Sequence, residues 1–274
     1  MFKIIIMALL IFIGMVGYDN LTDKAQPTTP VQQEQQKTSK HEKSAAMALF
    51  VSLLPPKEEW PSPVHKFYLA FNMDEVIDPI RQNPNWTALD AMSRDIPQAL
   101  IAIEDHAFYN HGAIAVEGIM RAALANINAG EVVQGGSTLT QQFVKNVFLS
   151  HEQSMERKIE EAVLSLMLED NYSKDEILEL YLNTTYFGAG STGIKQASRT
   201  YFGKAPSALT LAEAAVIASL PYAPTGLNPL ENPDGCKKRQ LLVLAAMHKY
   251  GMINQGQLAE AKAEKIRLTN GTVM

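Results

Sequence analysis

From residue 96 onward the chain keeps one period: apolar residues recur at helical spacing, and the strict alternation of a half-buried strand is nearly absent. That pattern leaves little room for a sheet. Capping boxes are expected at Ser150…Gln153, Ser173…Glu176 and Thr210…Glu213, each just ahead of such a stretch. Ile159, Val163, Leu166 and Met167 form one predicted apolar stripe, and Ile177, Leu180 and Tyr181 with Ala214, Ile217 and Ala218 begin others. Each stripe is expected to face a core. No internal repeat with a period of roughly 20–50 residues occurs, so a solenoid is excluded. The expected fold class is mainly α, one helical globule.

A chain of 274 residues with 46% apolar residues has room for one ordinary domain and a tail. The N-terminal part carries a different message. Residues 4–18 are apolar and uncharged, preceded by Lys3 and followed by Asp19 and Asp23, which keeps the N-terminus cytoplasmic and places the body outside. The run suits an uncleaved single-pass anchor or, being short, a signal-peptide core, although Val16-Gly17-Tyr18 is a poor cleavage site. Residues 19–44 are polar, with almost nothing to bury, and read as a disordered tether. Residues 45–54 are apolar again and stop at Pro55-Pro56, a buried helix or an interfacial one. The expected organisation is anchor or signal segment 1–18, linker 19–44, folded domain 45–268 and tail 269–274.

Net charge is −5, so no basic excess drives binding to nucleic acid, and any anion site must be local. The single cysteine, Cys236, rules out an internal disulfide and a cysteine-rich zinc site; six scattered histidines without an HExxH pattern make a histidine metal site unattractive. Gly188-Ala189-Gly190-Ser191-Thr192-Gly193 matches GxGxxG, but no strand leads into it. It reads as a turn between helices that glycine permits. The run 134–146, with Gly135, Gly136, Ser137, Thr138, Gln141, Gln142, Lys145 and Asn146, is either a polar ligand cradle or an ordinary capped helix. A helix start with exposed N–H groups attracts anions, and Lys145 adds a full charge. Glu104-Asp105 ends an apolar run, and partial burial suits a carboxylate for general-base work; a solvent-facing pair capping a helix is the plainer reading. Arg157 and Glu161, at i and i+4, read alone as a surface ion pair.

In order, Glu104-Asp105-His106-Ala107-Phe108-Tyr109-Asn110-His111, the 136–146 run, Arg157-Lys158-Ile159-Glu160-Glu161 and Lys174-Asp175-Glu176-Ile177-Leu178-Glu179-Leu180-Tyr181-Leu182-Asn183 resemble the motifs of bacterial peptidoglycan glycosyltransferases, the lipid II polymerases. The likeness continues through Gly193-Ile194, Tyr201-Phe202-Gly203-Lys204 and Leu220-Pro221 to Asn228-Pro229, covering about residues 96–253. It implies a lysozyme-like helical domain on the outer, periplasmic face of the bacterial cytoplasmic membrane. The implied partners are lipid II, the growing glycan strand, the membrane and other cell-wall synthesis proteins, with no nucleic acid. By motif position the resemblance makes Glu104 the general base and Glu161 the second essential carboxylate, with Glu161 holding a divalent ion such as Mg or Mn. Ser137, Thr138, Gln142, Lys145, Asn146, Arg157 and Lys158 are expected to bind substrate; Asp105, Phe108, His111, Asn183 and Arg239 are expected supports. No Ser-x-x-Lys with a downstream Lys-Thr-Gly occurs, so the likeness is to the monofunctional branch.

The chain also departs from the family pattern. Glycine usually stands two places after the motif histidine, but here Gly112 directly follows His111; Ser165 replaces a usual alanine. Gln153, Glu160 and Gln240 occupy places where relatives commonly carry Arg or Lys, which implies a thinner cationic field. Two other readings stay open. A lysozyme-like glycan-cleaving enzyme also needs a glutamate, and a catalytically weak scaffold of the same fold would tolerate the missing cations.

Overall fold

The structure, a computed structural model, describes residues 68–274 apart from 70–71, 116, 119, 121–135 and 151–153. The expected anchor, the tether and the apolar run 45–54 lie outside the described residues. Helices follow in chain order: α1 (Asp74–Arg81), α2 (Asp95–Glu104), α3 (Leu139–Phe148), α4 (Met155–Asn171), α5 (Lys174–Thr184), α6 (Ile194–Phe202), α7 (Leu211–Ser219), α8 (Pro233–Lys249) and α9 (Gln255–Ala263). The mainly helical expectation holds. Among the described residues no helix is long and apolar enough to cross a membrane.

Two packings organise these helices. In the first, α7 lies against α2 and α8, which also touch each other. Every residue from Ala212 to Ser219 is buried, and the alanines at 212, 214, 215 and 218 let the neighbouring helices approach closely. They meet Ile96, Ala99 and Leu100 of α2 and Val243, Leu244 and Met247 of α8 in one apolar core. In the second, α3 lies against α4 and α5. Its buried side chains include Leu139, Phe143 and Val144 beside Thr138, Gln141 and Glu161, so polar groups are drawn inward with the apolar ones.

The helix starts follow from local chemistry. Thr210 with Glu213 and Ser173 with Glu176 form the expected reciprocal caps. The box expected at Ser150…Gln153 does not start α4: Ser154 caps it, its hydroxyl accepting the Arg157 N–H at 3.1 Å. Thr138 and Gln141 make a further box at the start of α3. The 188–193 glycines form the expected turn. Gly188 has φ +88°, and a Cβ there would lie 2.3 Å from the Pro224 carbonyl oxygen; Gly193, at φ +84°, would meet the Asn183 carbonyl at 2.6 Å. Only glycine fits both places.

Two expectations are corrected. Of the stripe Ile159, Val163, Leu166 and Met167, Met167 packs on the core, but the other three are 63%, 49% and 52% exposed, whereas Glu161, Leu164, Ser165 and Leu168 are buried. Apolar residues occupy more than one face of α4, and the face that carries Glu161 turns inward. Residues 269–274 are no tail. The chain doubles back after Leu268, Ile266 and Met274 exchange backbone hydrogen bonds at 3.1 and 2.8 Å, and Met274 packs on the core.

Candidate active site

Glu104 is the last residue of α2, half-buried, and its Oε2 accepts a hydrogen bond from Gln142 Nε2 of α3 at 2.9 Å. Gln142 is fixed in turn at its other end, because its Oε1 accepts from the Tyr181 hydroxyl of α5 at 3.0 Å. Lys145 and Asn146, one turn further along α3 on the same side as Gln142, are exposed. Three helices thus meet at one carboxylate.

Asp105 holds this arrangement in place. Its Oδ2 accepts the Leu139 N–H at 3.1 Å, so a carboxylate sits at the positive start of α3. Its Oδ1 lies 2.6 Å from His111 Nε2, and His111 Nδ1 lies 2.6 Å from the Gly112 carbonyl. The displaced Gly112 leaves this pairing intact. Phe108 is fully buried, with the Lys174 ammonium 4.4 Å from its ring centre, and Lys174 also pairs with Glu169 at 2.7 Å. Glu169 accepts the Thr140 hydroxyl at 2.6 Å, which ties α3 to α4.

Glu161 is almost wholly buried, and both of its oxygens are taken: Oε1 by Lys158 and Oε2 by Arg157 at 3.4 Å. Lys158 also donates to Ser137 Oγ at 3.2 Å. The start of α4 therefore brings Lys158 to Ser137 just ahead of α3, and the Arg157 Nε atom is buried without a partner. What reads from sequence as a surface ion pair is a buried carboxylate under two cations. Ser165, at the usual alanine position, satisfies itself by donating to the Glu161 carbonyl at 2.6 Å. A divalent ion fits this donor set poorly. Glu161 has no free oxygen, and among the described residues no group of three His, Cys, Asp or Glu side chains could hold a metal.

Other expected site residues stand elsewhere or are otherwise engaged. Thr138 is buried, its hydroxyl proton donated to the Ala113 carbonyl at 2.7 Å and its oxygen capping α3, so it braces the cradle. Asn183 Nδ2 donates to the Thr87 and Glu179 carbonyls, and its Oδ1 accepts from the Thr87 N–H. Arg239 stacks its guanidinium 4.1 Å from the Tyr222 ring centre. Gln240 is fully buried and donates to the Ala212 carbonyl at 2.8 Å, so it belongs to the α7–α8 packing. Gln153 lies outside the described residues. Sequence reasoning missed Tyr181, taken there only as core. Its signal was a hydroxyl at a buried position where phenylalanine would pack as well.

A half-buried carboxylate, an exposed lysine on the adjoining helix and a clamped cation pair on the next are groups that can accept a proton and hold an anion. The transglycosylase family profile matches residues 73–248, which take in all of these groups, and the chain belongs to that family, the peptidoglycan glycosyltransferases. It is 41% identical over 194 residues to the "Putative transglycosylase H16_A0665" of Cupriavidus necator, covering 71% of this chain and 84% of that protein. It is 45% identical over 181 residues to penicillin-binding protein 2D of Bacillus subtilis and 44% over 185 residues to penicillin-binding protein 1A of Neisseria flavescens. Those matches cover 66% and 68% of this chain but only 26% and 23% of the two relatives.

Proposed function

We propose that the chain polymerises lipid II into glycan strands by inverting glycosyl transfer with release of undecaprenyl pyrophosphate. The observation that carries this reading is the Glu104 carboxylate, held by Gln142 at the head of a helix face that also presents Lys145. In the proposed step Glu104 takes the proton from the 4-hydroxyl of the acceptor sugar. That oxygen forms the new bond to the donor's anomeric carbon from the face opposite the pyrophosphate. The bond to the pyrophosphate oxygen breaks, and its electron pair leaves with the lipid pyrophosphate.

Negative charge grows on the leaving group, so fixed positive charge lowers the barrier more than a nucleophile would. Lys145 is the exposed cation of α3, while Arg157 and Lys158 stand at the start of α4 with Ser137 between the two helices. In this reading Glu161 holds those cations in register, and no step runs through a metal ion. The apolar run 4–18 and the exposed apolar side of α4 support placing the domain at the outer face of the membrane, where a lipid-linked donor is found.

Labelled lipid II incubated with the purified chain in detergent tests the reading. Polymer of many disaccharide units is expected. Cleavage of preformed glycan without polymer would point to a hydrolase, and lipid II binding without turnover would point to a scaffold.

A further inference from the structure

We propose that Tyr181 is a positioning residue for the transfer step: by donating its hydroxyl to the Gln142 carbonyl it holds the Gln142 amide so that the N–H2 end faces Glu104. The inference rests on the reading of Glu104 as the base.

A glutamine amide has a donor end and an acceptor end, and packing alone hardly distinguishes them. Here the polarity is set from both sides. An ionised carboxylate can only accept, so Glu104 demands the Nε2 end, and it receives it at 2.9 Å. The opposite end needs a donor, and Tyr181 supplies one at 3.0 Å. Reversing the amide would set two oxygens against each other at Glu104. Tyr181 is 1% exposed. Burial first, and the nearby Glu104 charge second, push its pKa far up against a smaller opposing pull from the Thr185 hydroxyl, so the phenol keeps its proton and stays a donor.

The three groups also sit on three different helices. Tyr181 comes from α5, Gln142 from α3 and Glu104 from the end of α2, so the orientation of the carboxylate is set across helix interfaces. Without the phenol the amide loses its anchor and can turn or swing away. Glu104 would then lose a fixed hydrogen bond that selects its rotamer, and base catalysis depends on that geometry. Helix packing should be unaffected, because phenylalanine preserves the buried ring.

Tyr181→Phe in the full chain is the test, with Gln142→Ala and the double variant alongside. Thermal melting should be nearly unchanged. The rate of lipid II polymerisation should fall about tenfold with KM for lipid II unchanged, the scale of one lost orienting hydrogen bond. The double variant should be no slower than Gln142→Ala, because in this proposal the phenol orients Glu104 through that amide. A second readout needs no turnover: with 15N-glutamine labelling, relaxation of the Gln142 side-chain amide should report a rigid group in the wild type and a mobile one in Tyr181→Phe. Equal amide rigidity in both proteins overturns the proposal, as do additive rate losses. If the wild type makes no polymer, the polymerase reading falls, and the amide measurement alone decides the role of Tyr181.

Discussion

The α2–α7–α8 packing and the α3–α4–α5 packing are built from similar helices but solve different problems. In the first, alanines and aliphatic residues make up most of the contact; Gln240 donates across to the Ala212 carbonyl, and the buried Glu213 caps the start of α7 and pairs with Lys204 at 2.6 Å. In the second, Glu161 goes inward with two cations while Ile159 and Leu166 stay outside. Burying a carboxylate and leaving isoleucine in water is costly in itself, and it persists where charge has a use. One half of the domain is organised by apolar burial, the other around a charged site.

The sharpest test sets one residue from each half against the other. Leu244→Ala, in the dry packing, should lower unfolding free energy by about 2–5 kcal/mol through lost contacts and a residual cavity. Denaturant melts would measure it. Glu104→Gln, at the edge of the charged half, should melt like the wild type yet polymerise lipid II at least about 10²-fold more slowly. A Glu104→Gln protein with near-normal turnover would remove the assigned base and with it the contrast.

Within the charged half, Glu161→Ala leaves Arg157 and Lys158 facing each other without their counter-charge. Removing one partner of a buried pair typically costs about 3–5 kcal/mol; because Lys158 remains half-exposed and can turn to water, a value near the lower end is expected. Chemical denaturation checks it, and a loss below about 1 kcal/mol would mean that the clamp is only superficial.

The difference between the halves also explains what the sequence made legible. Ala214, Ile217 and Ala218 are buried as their periodicity predicts, because in a dry packing apolar residues have nowhere else to go. On α4 the same rule selects the wrong face. Ile159, Val163 and Leu166 compete with Leu164 and Leu168, and the choice is made by Glu161, whose partners Arg157 and Lys158 come from its own helix, Lys158 reaching on to Ser137 ahead of α3. The resemblance to the family, carried by motifs each contiguous along the chain, points to Glu104 and Gln142, which the fold brings within a hydrogen bond. The motifs could not reveal the Tyr181–Gln142–Glu104 relay, because its members lie on three helices and its direction depends on which end of an amide faces a carboxylate. The cap of α4 was misplaced for a local reason: Ser150 and Ser154 both precede helical spacing, and only the hydrogen bond to Arg157 N–H distinguishes them.

A smaller effect is expected at the start of α5. Ser173→Ala removes a hydroxyl that caps the helix and should cost about 1 kcal/mol near neutral pH. Glu176 completes the box, and its pKa is lowered chiefly by the Ser173 backbone N–H, with the Ser173 hydroxyl and Arg81 assisting. A lowered carboxyl pKa means that the charged form is favoured by folding. Its contribution is therefore fully present above the ordinary value of 4.5 and fades as pH falls through the lowered one. Glu176→Gln should narrow the gap in melting temperature between pH 6 and pH 3. An unchanged gap would show that other carboxylates set the acid limb.

The smallest effect on stability in water is expected where sequence periodicity erred. Met155, Ile159, Val163 and Leu166 fall at i, i+4, i+8 and i+11 along α4, so they line one side of the helix, and all are about half-exposed or more. A side chain already in water loses little when it is shortened and made polar. Ile159→Ser and Leu166→Ser should each change unfolding free energy by less than about 0.5 kcal/mol apart from a small loss of helix propensity for serine. Had the stripe been core, each would cost several times more. Chemical denaturation in aqueous buffer separates the two cases: a loss of about 2 kcal/mol or more would mean that this side of α4 is covered in the folded chain. In the proposed location the same substitutions gain a second readout, because apolar area that costs nothing to remove in water contributes to partition at a lipid surface. Sedimentation with lipid vesicles should show weaker association for the double serine variant than for the wild type, at equal melting temperature. Equal association would mean that this side of α4 does not meet the bilayer.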